Sequence, residues 1–280
     1  VTSIEASKQG PRRVVSVTLG ATRYTANHFI IATGGFSRPE TGSTGEGFSW
    51  LTRLGHTIVR PSPTIVPLAV KDQWVRVLSG TSLSFMKITF FQSGKRAFSK
   101  TGKLLFTHFG ISGPLILNSA KAVGQLLKGG EVTATIDMYP DTDFADVERK
   151  VLKILDTNKN KKFKNLLDEL VPHGVDSAIV TLLALPDPEI KAHSITKEDR
   201  KRLVHILKGA PLTIKGLMGY DRAVVSDGGV PLDEVDTKTM RSRICGNLSF
   251  AGDVLHINRP SGGYSLQLCW TTGFVAGDNS

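Results

Sequence analysis

The 280-residue chain has few of the residues that mark disulfide, metal or membrane proteins. Its two cysteines, Cys245 and Cys269, form neither a C-x-x-C pair nor a metal-ligand spacing. We therefore expect no metal site and two small buried thiols in a reducing compartment. The longest apolar stretches, such as residues 182–185, are far shorter than the roughly 20 residues that span a bilayer. With no secretory segment before Val1, the sequence predicts a cytoplasmic protein without a membrane partner.

Several catalytic motifs are absent from the sequence. It has no G-x-S-x-G elbow, no H-E-x-x-H and no Walker A loop, which argues against serine hydrolases, zinc proteases and P-loop enzymes. It also has no G-x-G-x-x-G, the phosphate-binding fingerprint of dinucleotide enzymes. Any nucleotide site within this chain must therefore use other glycine-rich turns.

The charge balance is basic, with 35 Lys and Arg against 25 Asp and Glu and a net charge of +10. Basic clusters at residues 158–164 and 197–202 fall inside polar helical patterns, which are typical of a solvated helix face. No zinc finger or aromatic RNA-binding signature accompanies the charge. We therefore expect no nucleic-acid partner. Nucleic-acid binding through charge stays as an alternative, which predicts strongly salt-dependent retention of DNA or RNA.

The chain changes composition twice. Residues 13–34 have the pattern of a hairpin followed by a buried strand. A helix with the apolar residues Phe48, Leu51 and Leu54 follows, and residues 58–59 and 65–66 have the pattern of short strands. Residues 68–138 alternate like a small barrel or sandwich, and residues 143–208 have helical spacing. Strand signals return at 223–230, before a final helix over about 263–277.

Two glycine-rich turns are the most informative feature. Each follows a short apolar run, in Phe29–Gly35 and in Leu248–Asp253. This pattern suits a parallel strand whose carboxyl end opens onto a ligand, because glycine lets a cofactor approach the backbone. The sequence therefore predicts an α/β fold, in which a discontinuous domain (1–67 and 216–280) is interrupted by an insert domain (68–215) with a β-rich part and a helical part.

Four groups of residues are candidates for contact with a ligand. Asp253 can accept hydrogen bonds from sugar or ribityl hydroxyls after Gly252, although it could instead cap the next element. The segment Ser261–Tyr264 opens the last helix, whose N-terminus suits an electron-rich ring or an anion, although Ser261 could be an ordinary N-cap. The loop containing Thr41, Gly42 and Ser43 could bind a ligand or be a surface turn. His108 is either a core histidine or a proton donor.

These segments resemble, in order and spacing, the bacterial FAD-dependent oxidoreductases of the aminoacetone-oxidase-like family, which also includes a proposed bile-acid dehydro-reductase. The similarity covers about residues 29–277. The segments that carry it are Ala32–Gly35, Thr41–Gly47 with Gly55–His56, Thr107–Pro114, Gly219–Ala223 with Gly228–Val230, Thr239–Met240, Ala251–Asp253 and Gly262–Tyr264.

The resemblance implies a glutathione-reductase-type, Rossmann-like FAD-binding domain interrupted by a β-barrel and a helical part. It implies that Thr33, Gly34 and Gly35 lie near the FAD, and that Gly252 and Asp253 lie near its pyrophosphate and ribityl chain. It also implies that Gly262, Gly263 and Tyr264 lie near the isoalloxazine, and that Tyr264 and Gln267 border the substrate face. Ser261, at the start of the same segment, is a further candidate for cofactor binding. The family's own G-x-G-x-x-G segment would lie before Val1.

The functional hypothesis is an FAD-dependent oxidoreductase. It would transfer a hydride through flavin N5 to or from a small organic substrate, with NAD(P)H as a further partner. Tyr264 and His108 are the candidate catalytic residues, and His108 would handle a proton. The alternative is a truncated, non-catalytic fragment or binding module that holds no stable cofactor.

Overall fold

The computed structural model describes residues 1–7, 9–185, 187 and 189–280. They form two compact units. We call residues 1–66 with 218–280 the sheet unit and residues 67–217 the barrel unit. The barrel unit is therefore inserted in sequence between two parts of the sheet unit. Among the described residues, no helix is long and apolar enough to cross a bilayer.

The sheet unit contains three small sheets. One is antiparallel and has the order β1, β2, β3, with bounds Ser3–Ala6, Val14–Leu19 and Thr22–Tyr24. The second has the order β13, β14, β15, β4, with bounds Val235–Asp236, Arg241–Ser242, Leu248–Phe250 and Phe29–Ile31. The third pairs β5, Val59–Thr64, with β12, Val225–Gly229. Within the second sheet, β4 and β15 run parallel.

Two helices complete the sheet unit. Helix α1, Glu46–Arg53, buries Phe48 and Leu51, and Leu54 follows it into the core. Gly55 then takes a φ of 92°, which is a left-handed conformation that favours glycine at a helix end. Helix α9, Tyr264–Asp278, closes the chain and buries Thr272 and Ala276.

The prediction of separate strands at 58–59 and 65–66 is wrong. The structure has one strand, β5, which contains Pro61 and Pro63 and pairs with β12. Proline is tolerated here because each strand of a two-stranded sheet has a free edge that needs no N–H donor. Ile65 leaves the strand with a φ of 48°.

The barrel unit is built on a closed six-stranded barrel with the order β10, β11, β6, β9, β8, β7. Large apolar side chains fill it, including Ile88, Phe90, Leu104 and Phe106. The bounds are β6, Leu68–Val70; β7, Ser82–Gln92; β8, Lys95–Thr107; β9, Gly110–Ser112; β10, Val132–Asp137; and β11, Ala210–Leu217. Of the two arrangements that the sequence left open, the structure has the barrel.

The barrel closes through a strand outside the β-rich segment predicted at 68–138. Strand β11 pairs with β10 on one side and β6 on the other. It alternates inward side chains at Ala210, Leu212 and Ile214, all of which are buried. Because β11 continues to Leu217, the barrel unit ends two residues later than the boundary expected from the sequence.

Helices accompany the barrel strands in both halves of this unit. Short helices α2, α3 and α4 span Gln73–Val77, Pro114–Leu117 and Ala120–Lys128. The predicted helical part contains α5, Phe144–Thr157; α6, Leu167–Leu170; α7, Asp176–Leu183; and α8, Lys197–Gly209. Asp143 and Thr196 cap α5 and α8 by accepting hydrogen bonds from the backbone N–H groups three residues later.

A buried histidine joins distant parts of the sheet unit. His56, 3% exposed, lies 2.8 Å from Glu234 through Nδ1 and 3.0 Å from the Ser242 hydroxyl through Nε2. The Ser242 oxygen accepts N–H bonds from Ile244 and Cys245, so its own proton is directed to His56. Burial lowers the pKa of His56, and Glu234 opposes this only in part. The neutral imidazole therefore suits this network.

We predict that the free energy of unfolding falls as the pH is lowered from about 7.5 to 5.5. The unfolded His56, with an ordinary pKa near 6.5, binds a proton that the folded His56 resists. Burial also lowers the pKa of His28, so part of the slope belongs to that residue. In urea unfolding at several pH values, His56→Gln should be less stable at pH 7.5 and show a shallower pH slope. His173→Gln, at an exposed position, is the control and should keep the slope. An unchanged slope in His56→Gln would contradict this account.

Candidate functional site

The two glycine-rich turns lie side by side because their strands are parallel neighbours. Phe29 pairs with Leu248 and Ile31 with Phe250, and the Ala251 N–H donates to the Ile31 carbonyl at 3.0 Å. Both strands therefore end at the same edge of the sheet. This edge is where parallel α/β sheets bind ligands.

Gly35 lies in direct contact with the second turn. A Cβ added to Gly35 would lie 3.4 Å from the Asp253 carbonyl and 2.3 Å from the Ser226 hydroxyl. The same Ser226 hydroxyl accepts the Phe36 N–H at 2.7 Å. No larger residue fits at Gly35 without displacing Ser226, so this position needs glycine.

The loop after the first turn folds back onto that turn. Gly34 has a φ of 72°, and a Cβ there would lie 2.9 Å from the Ser43 hydroxyl. Thr41 and Gly42 are exposed, and the Thr41 hydroxyl donates to the Arg38 carbonyl at 2.8 Å. Within the described part of the chain, the buried Thr33 hydroxyl oxygen has no hydrogen-bond partner. This hydroxyl packs against Gly47 of α1, so Thr33 faces the helix from the end of the strand.

Asp253 is paired with an arginine that the sequence did not single out for the site. Its carboxylate contacts Arg259, which also donates to the Ile257 carbonyl and, at 2.9 Å, to the Ser265 hydroxyl. Burial raises the pKa of Asp253, and the guanidinium opposes this rise. Asp253 lies in a short 3₁₀ turn, Gly252–Val254, and not at the N-cap of the last helix.

The N-terminus of α9 forms the far side of this edge. Its N-cap is Gly263, which has a φ of 93°, and no side chain caps the helix. The expectation that Ser261 could be the N-cap is therefore wrong. Tyr264 is 58% exposed, and Gln267 is exposed and donates to the Thr271 hydroxyl at 3.0 Å. The uncapped N–H groups and these two side chains are available to a ligand.

Helix α9 is fixed to the second turn by a side chain. The Gly252 N–H donates to the Thr272 hydroxyl at 2.9 Å. A Cβ added to Gly252 would lie 3.1 Å from the Cys269 sulfur. Cys245 is buried, but Cys269 is only partly buried, which corrects the expectation of two buried thiols. These contacts hold the middle of α9 against the Ala251–Asp253 turn, and Arg259 links the first turn of the helix to Asp253 through Ser265.

An apolar cavity of about 140 Å³ lies against the face of β4. Its lining includes Phe29, Ile31, Trp50 and Leu248. Thr33, one of the residues expected to bind the cofactor, also lines this cavity. Such a lining supplies packing surface and offers no titratable group for catalysis.

His108 lies in the barrel unit, apart in sequence from the other candidates. It occupies the two-residue turn between β8 and β9, is exposed, and its ring contacts Phe109 with centroids 4.9 Å apart. The alternative of a buried core histidine is therefore wrong. Its role as a proton donor stays a prediction.

Two residues of the site were not predicted from the sequence. Ser226 comes from strand β12 and reaches Gly35, and Arg259 comes from the loop after the second turn. Serine in a short strand carries no recognisable signal. Arg259 is a cation six residues after Asp253, and this spacing alone does not indicate an ion pair.

The described residues fit a nucleotide cofactor better than a metal ion. No group of three or more His, Cys, Asp or Glu side chains within the described ranges could hold a metal. In contrast, the edge combines the glycines Gly34 and Gly35 at a strand end with a helix N-terminus that no side chain caps among the described residues. These groups suit a large ligand that carries phosphate, hydroxyl and ring oxygen atoms.

Sequence comparison gives a family match. A family model described as the HI0933-like protein barrel and H2TH domain matches residues 62–225, which is more than half of the chain. The match includes the whole barrel unit, both its closed barrel and its helical part.

Relatives that match most of this chain include proteins named as a reductase and as dihydrouridine synthases. The chain is 27% identical over 256 residues to the 3-dehydro-bile acid delta(4,6)-reductase of Clostridium scindens, covering 91% of this chain and 62% of the relative. It is 29% identical over 259 residues to the ribosomal RNA dihydrouridine synthase of Haemophilus influenzae, covering 92% and 61%. The Escherichia coli protein of the same name is 27% identical over 249 residues, covering 88% and 58%. The chain thus spans about three fifths of the length of these relatives.

We predict that Arg259→Ala lowers the free energy of unfolding by about 1–3 kcal/mol at pH 7, because a partly buried carboxylate loses its cation. The loss should shrink near pH 4, where Asp253, with its raised pKa, is more readily neutral. Chemical unfolding at both pH values is the measurement.

Two further variants test the cause of that loss. Asp253→Asn combined with Arg259→Ala should recover part of it, since no charge is left unpaired. Arg38→Ala removes an exposed arginine that lies 3.6 Å from Glu40, and should change stability by less than about 0.5 kcal/mol. Equal effects of Arg259→Ala and Arg38→Ala would contradict a role for the Asp253 contact.

Proposed function

The chain belongs to the HI0933-like family, and we propose that it is a flavin-dependent oxidoreductase that binds FAD at the edge formed by the Gly34–Gly35 and Gly252–Asp253 turns. The observation that carries this proposal is the parallel pairing of β4 with β15, which places both turns at one sheet edge. The sheet unit is then the two-part, Rossmann-like cofactor domain, and the barrel unit is its insert.

Each part of the edge has a role in this proposal. Gly34 and Gly35 allow the cofactor to approach the backbone, with Thr33, Thr41, Gly42 and Ser43 beside them. Asp253 accepts hydrogen bonds from the ribityl chain, which requires Arg259 to share or release the carboxylate. The α9 N-terminus, after the segment Ser261–Gly263, stabilises negative charge on the reduced ring.

FAD, when bound, supplies hydride transfer through N5, and the protein positions the substrate and handles protons. Tyr264 and Gln267 border the substrate, and His108 is the candidate proton donor. NAD(P)H is the proposed source of electrons.

The names of the relatives suggest a substrate class. A delta(4,6)-reductase of a 3-dehydro-bile acid reduces carbon–carbon double bonds conjugated to a ketone. A dihydrouridine synthase adds hydrogen across the carbon–carbon double bond of uracil, which is also conjugated to a carbonyl. We propose the shared chemistry for this chain: hydride addition to a carbon–carbon double bond that a neighbouring carbonyl activates, followed by protonation of the adjacent carbon.

A second candidate is a binding module that holds no stable flavin. The pairing of Asp253 with Arg259 favours it, because the proposed ribityl acceptor is already occupied. The exposed apolar row of α9 also favours it: Leu266, Trp270 and Phe274 are 59%, 66% and 74% exposed at helical spacing. Such a surface is typical of an interaction site.

FAD titration separates the two candidates. We predict that the chain quenches flavin fluorescence stoichiometrically and turns yellow. Gly35→Ala should weaken binding at least tenfold, because its Cβ would lie 2.3 Å from the Ser226 hydroxyl. Gly246→Ala is the matched control, since a Cβ at Gly246 has open space around it. A folded wild-type chain that is indifferent to FAD would contradict the flavoprotein proposal and support the binding module.

An assay of NAD(P)H oxidation tests the proposed substrate class. The flavin-loaded chain should oxidise NADH or NADPH faster when cyclic enones are added, and not when amines are added. Stimulation by amines alone would contradict the proposed substrate class and leave the FAD site intact.

A further inference from the structure

Positive charge is concentrated in one continuous stretch of the barrel unit. Residues 73–130 contain eight Lys and Arg side chains and no Asp or Glu. The whole barrel unit has twenty-three basic and fifteen acidic side chains, so this stretch accounts for its entire net charge. The net charge of the barrel unit is therefore carried by the stretch from α2 through β7 and β8 to α4, and it makes up most of the +10 of the chain.

The barrel presents part of this charge on one outward surface. Strands β7 and β8 pair along most of their length, with Lys87 opposite Thr101 and Thr89 opposite Ser99. The intervening Ile88 and Phe90 are buried inside the barrel. By the same alternation, the apolar residues Phe91 and Leu105 also point outward here. We define the β7–β8 outer face by the polar side chains on this side of the two strands: Lys87, Thr89, Arg96, Ser99, Thr101 and Lys103.

The outer face combines cations with hydroxyl groups. Arg96 donates to the Ser99 hydroxyl at 2.7 Å, which orders the guanidinium along the strand. Arg96 and Lys103 are seven residues apart on one strand, a span of about 23 Å at roughly 3.3 Å per residue. A row of this length can contact several consecutive phosphates.

Carboxylates near this face are held by other lysines. Asp137 is the β10 partner of Lys87, but Lys208 binds its carboxylate at 2.7 Å. Glu131, at the end of the stretch, is bound by Lys71 at 2.6 Å. The cations of the outer face therefore keep their net attraction for an anionic partner.

In the helical part of the barrel unit, in contrast, several basic side chains pair with nearby carboxylates. Lys162 and Lys164 both bind Glu189, and Arg202 lies 3.3 Å from Asp199. These basic side chains are compensated locally, as the sequence analysis expected for a solvated helix face. The sequence pattern drew attention to these two clusters and not to residues 73–130, where the sequence has no Asp or Glu.

We propose that the β7–β8 outer face binds the sugar–phosphate backbone of a structured RNA. Lysine and arginine neutralise phosphates and release counterions, while serine and threonine hydroxyls hydrogen-bond to phosphate oxygens and to the 2′-hydroxyl of RNA. The inference rests on the proposed function, because uracil in RNA carries the activated double bond that the flavin site would reduce.

Salt-dependent binding of a uridine-containing RNA hairpin tests this assignment without any flavin. The test variant is Lys87→Gln, Arg96→Gln and Lys103→Gln together, and circular dichroism checks its fold. The matched control is Lys159→Gln, Lys161→Gln and Lys201→Gln, three exposed positions in the helical part.

The wild-type chain should bind the RNA hairpin with a steep salt dependence, and more tightly than the DNA hairpin of the same sequence. The outer-face variant should lower the slope of log Kobs against log salt by about 2–3, at 0.7–0.9 for each lost phosphate contact. The control should lower it by less than one. Equal losses in the two variants, tighter binding to DNA, or binding to anionic vesicles in place of RNA would each overturn the proposal.

The outcome is separable from that of the proposed function. If the chain binds RNA through the outer face but not FAD, the flavin proposal fails and this one stands. If the outer-face variant keeps wild-type reduction of cyclic enones and wild-type RNA binding, the flavin proposal stands and this one fails.

Discussion

The parallel pairing of β4 with β15 is the constraint on which the proposed site depends. These strands are more than two hundred residues apart in sequence, yet the Ala251 N–H reaches the Ile31 carbonyl at 3.0 Å. Everything at the site follows from this register, since Gly35 then meets the Asp253 carbonyl and α9 starts beside the second turn. A slip of one residue would turn Ile31 and Phe250 out of the core, because side chains alternate between the faces of a sheet.

The two units divide the chemistry between them. The sheet unit holds the glycine turns, the Asp253–Arg259 pair and an uncapped helix start, which are groups that suit a nucleotide cofactor. The barrel unit holds most of the net positive charge, concentrated where no carboxylate occurs in sequence. On the proposed function, one unit supplies the redox site and the other supplies the surface for an anionic substrate.

Local sequence patterns predicted the elements well and the side-chain partners poorly. The apolar runs at Phe29–Ile31 and Leu248–Phe250 indicated strands, and the helical spacing of Val147, Val151 and Leu155 indicated α5. The barrel strand β11 was missed because it follows a long helical segment and only tertiary pairing identifies it. Strand β5 was missed because the prediction placed two short strands on either side of its prolines, which the free edge of one strand tolerates. Arg259 and Ser226 were missed because their roles depend on distances in space that no local pattern contains.

Hydrogen–deuterium exchange in the presence and absence of FAD tests the central claim most directly, because it observes both turns in one experiment. If the turns form one flavin site, FAD should slow exchange at residues 33–43 and at residues 252–267 together, and leave α5 and α8 unchanged. Protection of one segment alone, or protection confined to the barrel unit, would contradict the shared site.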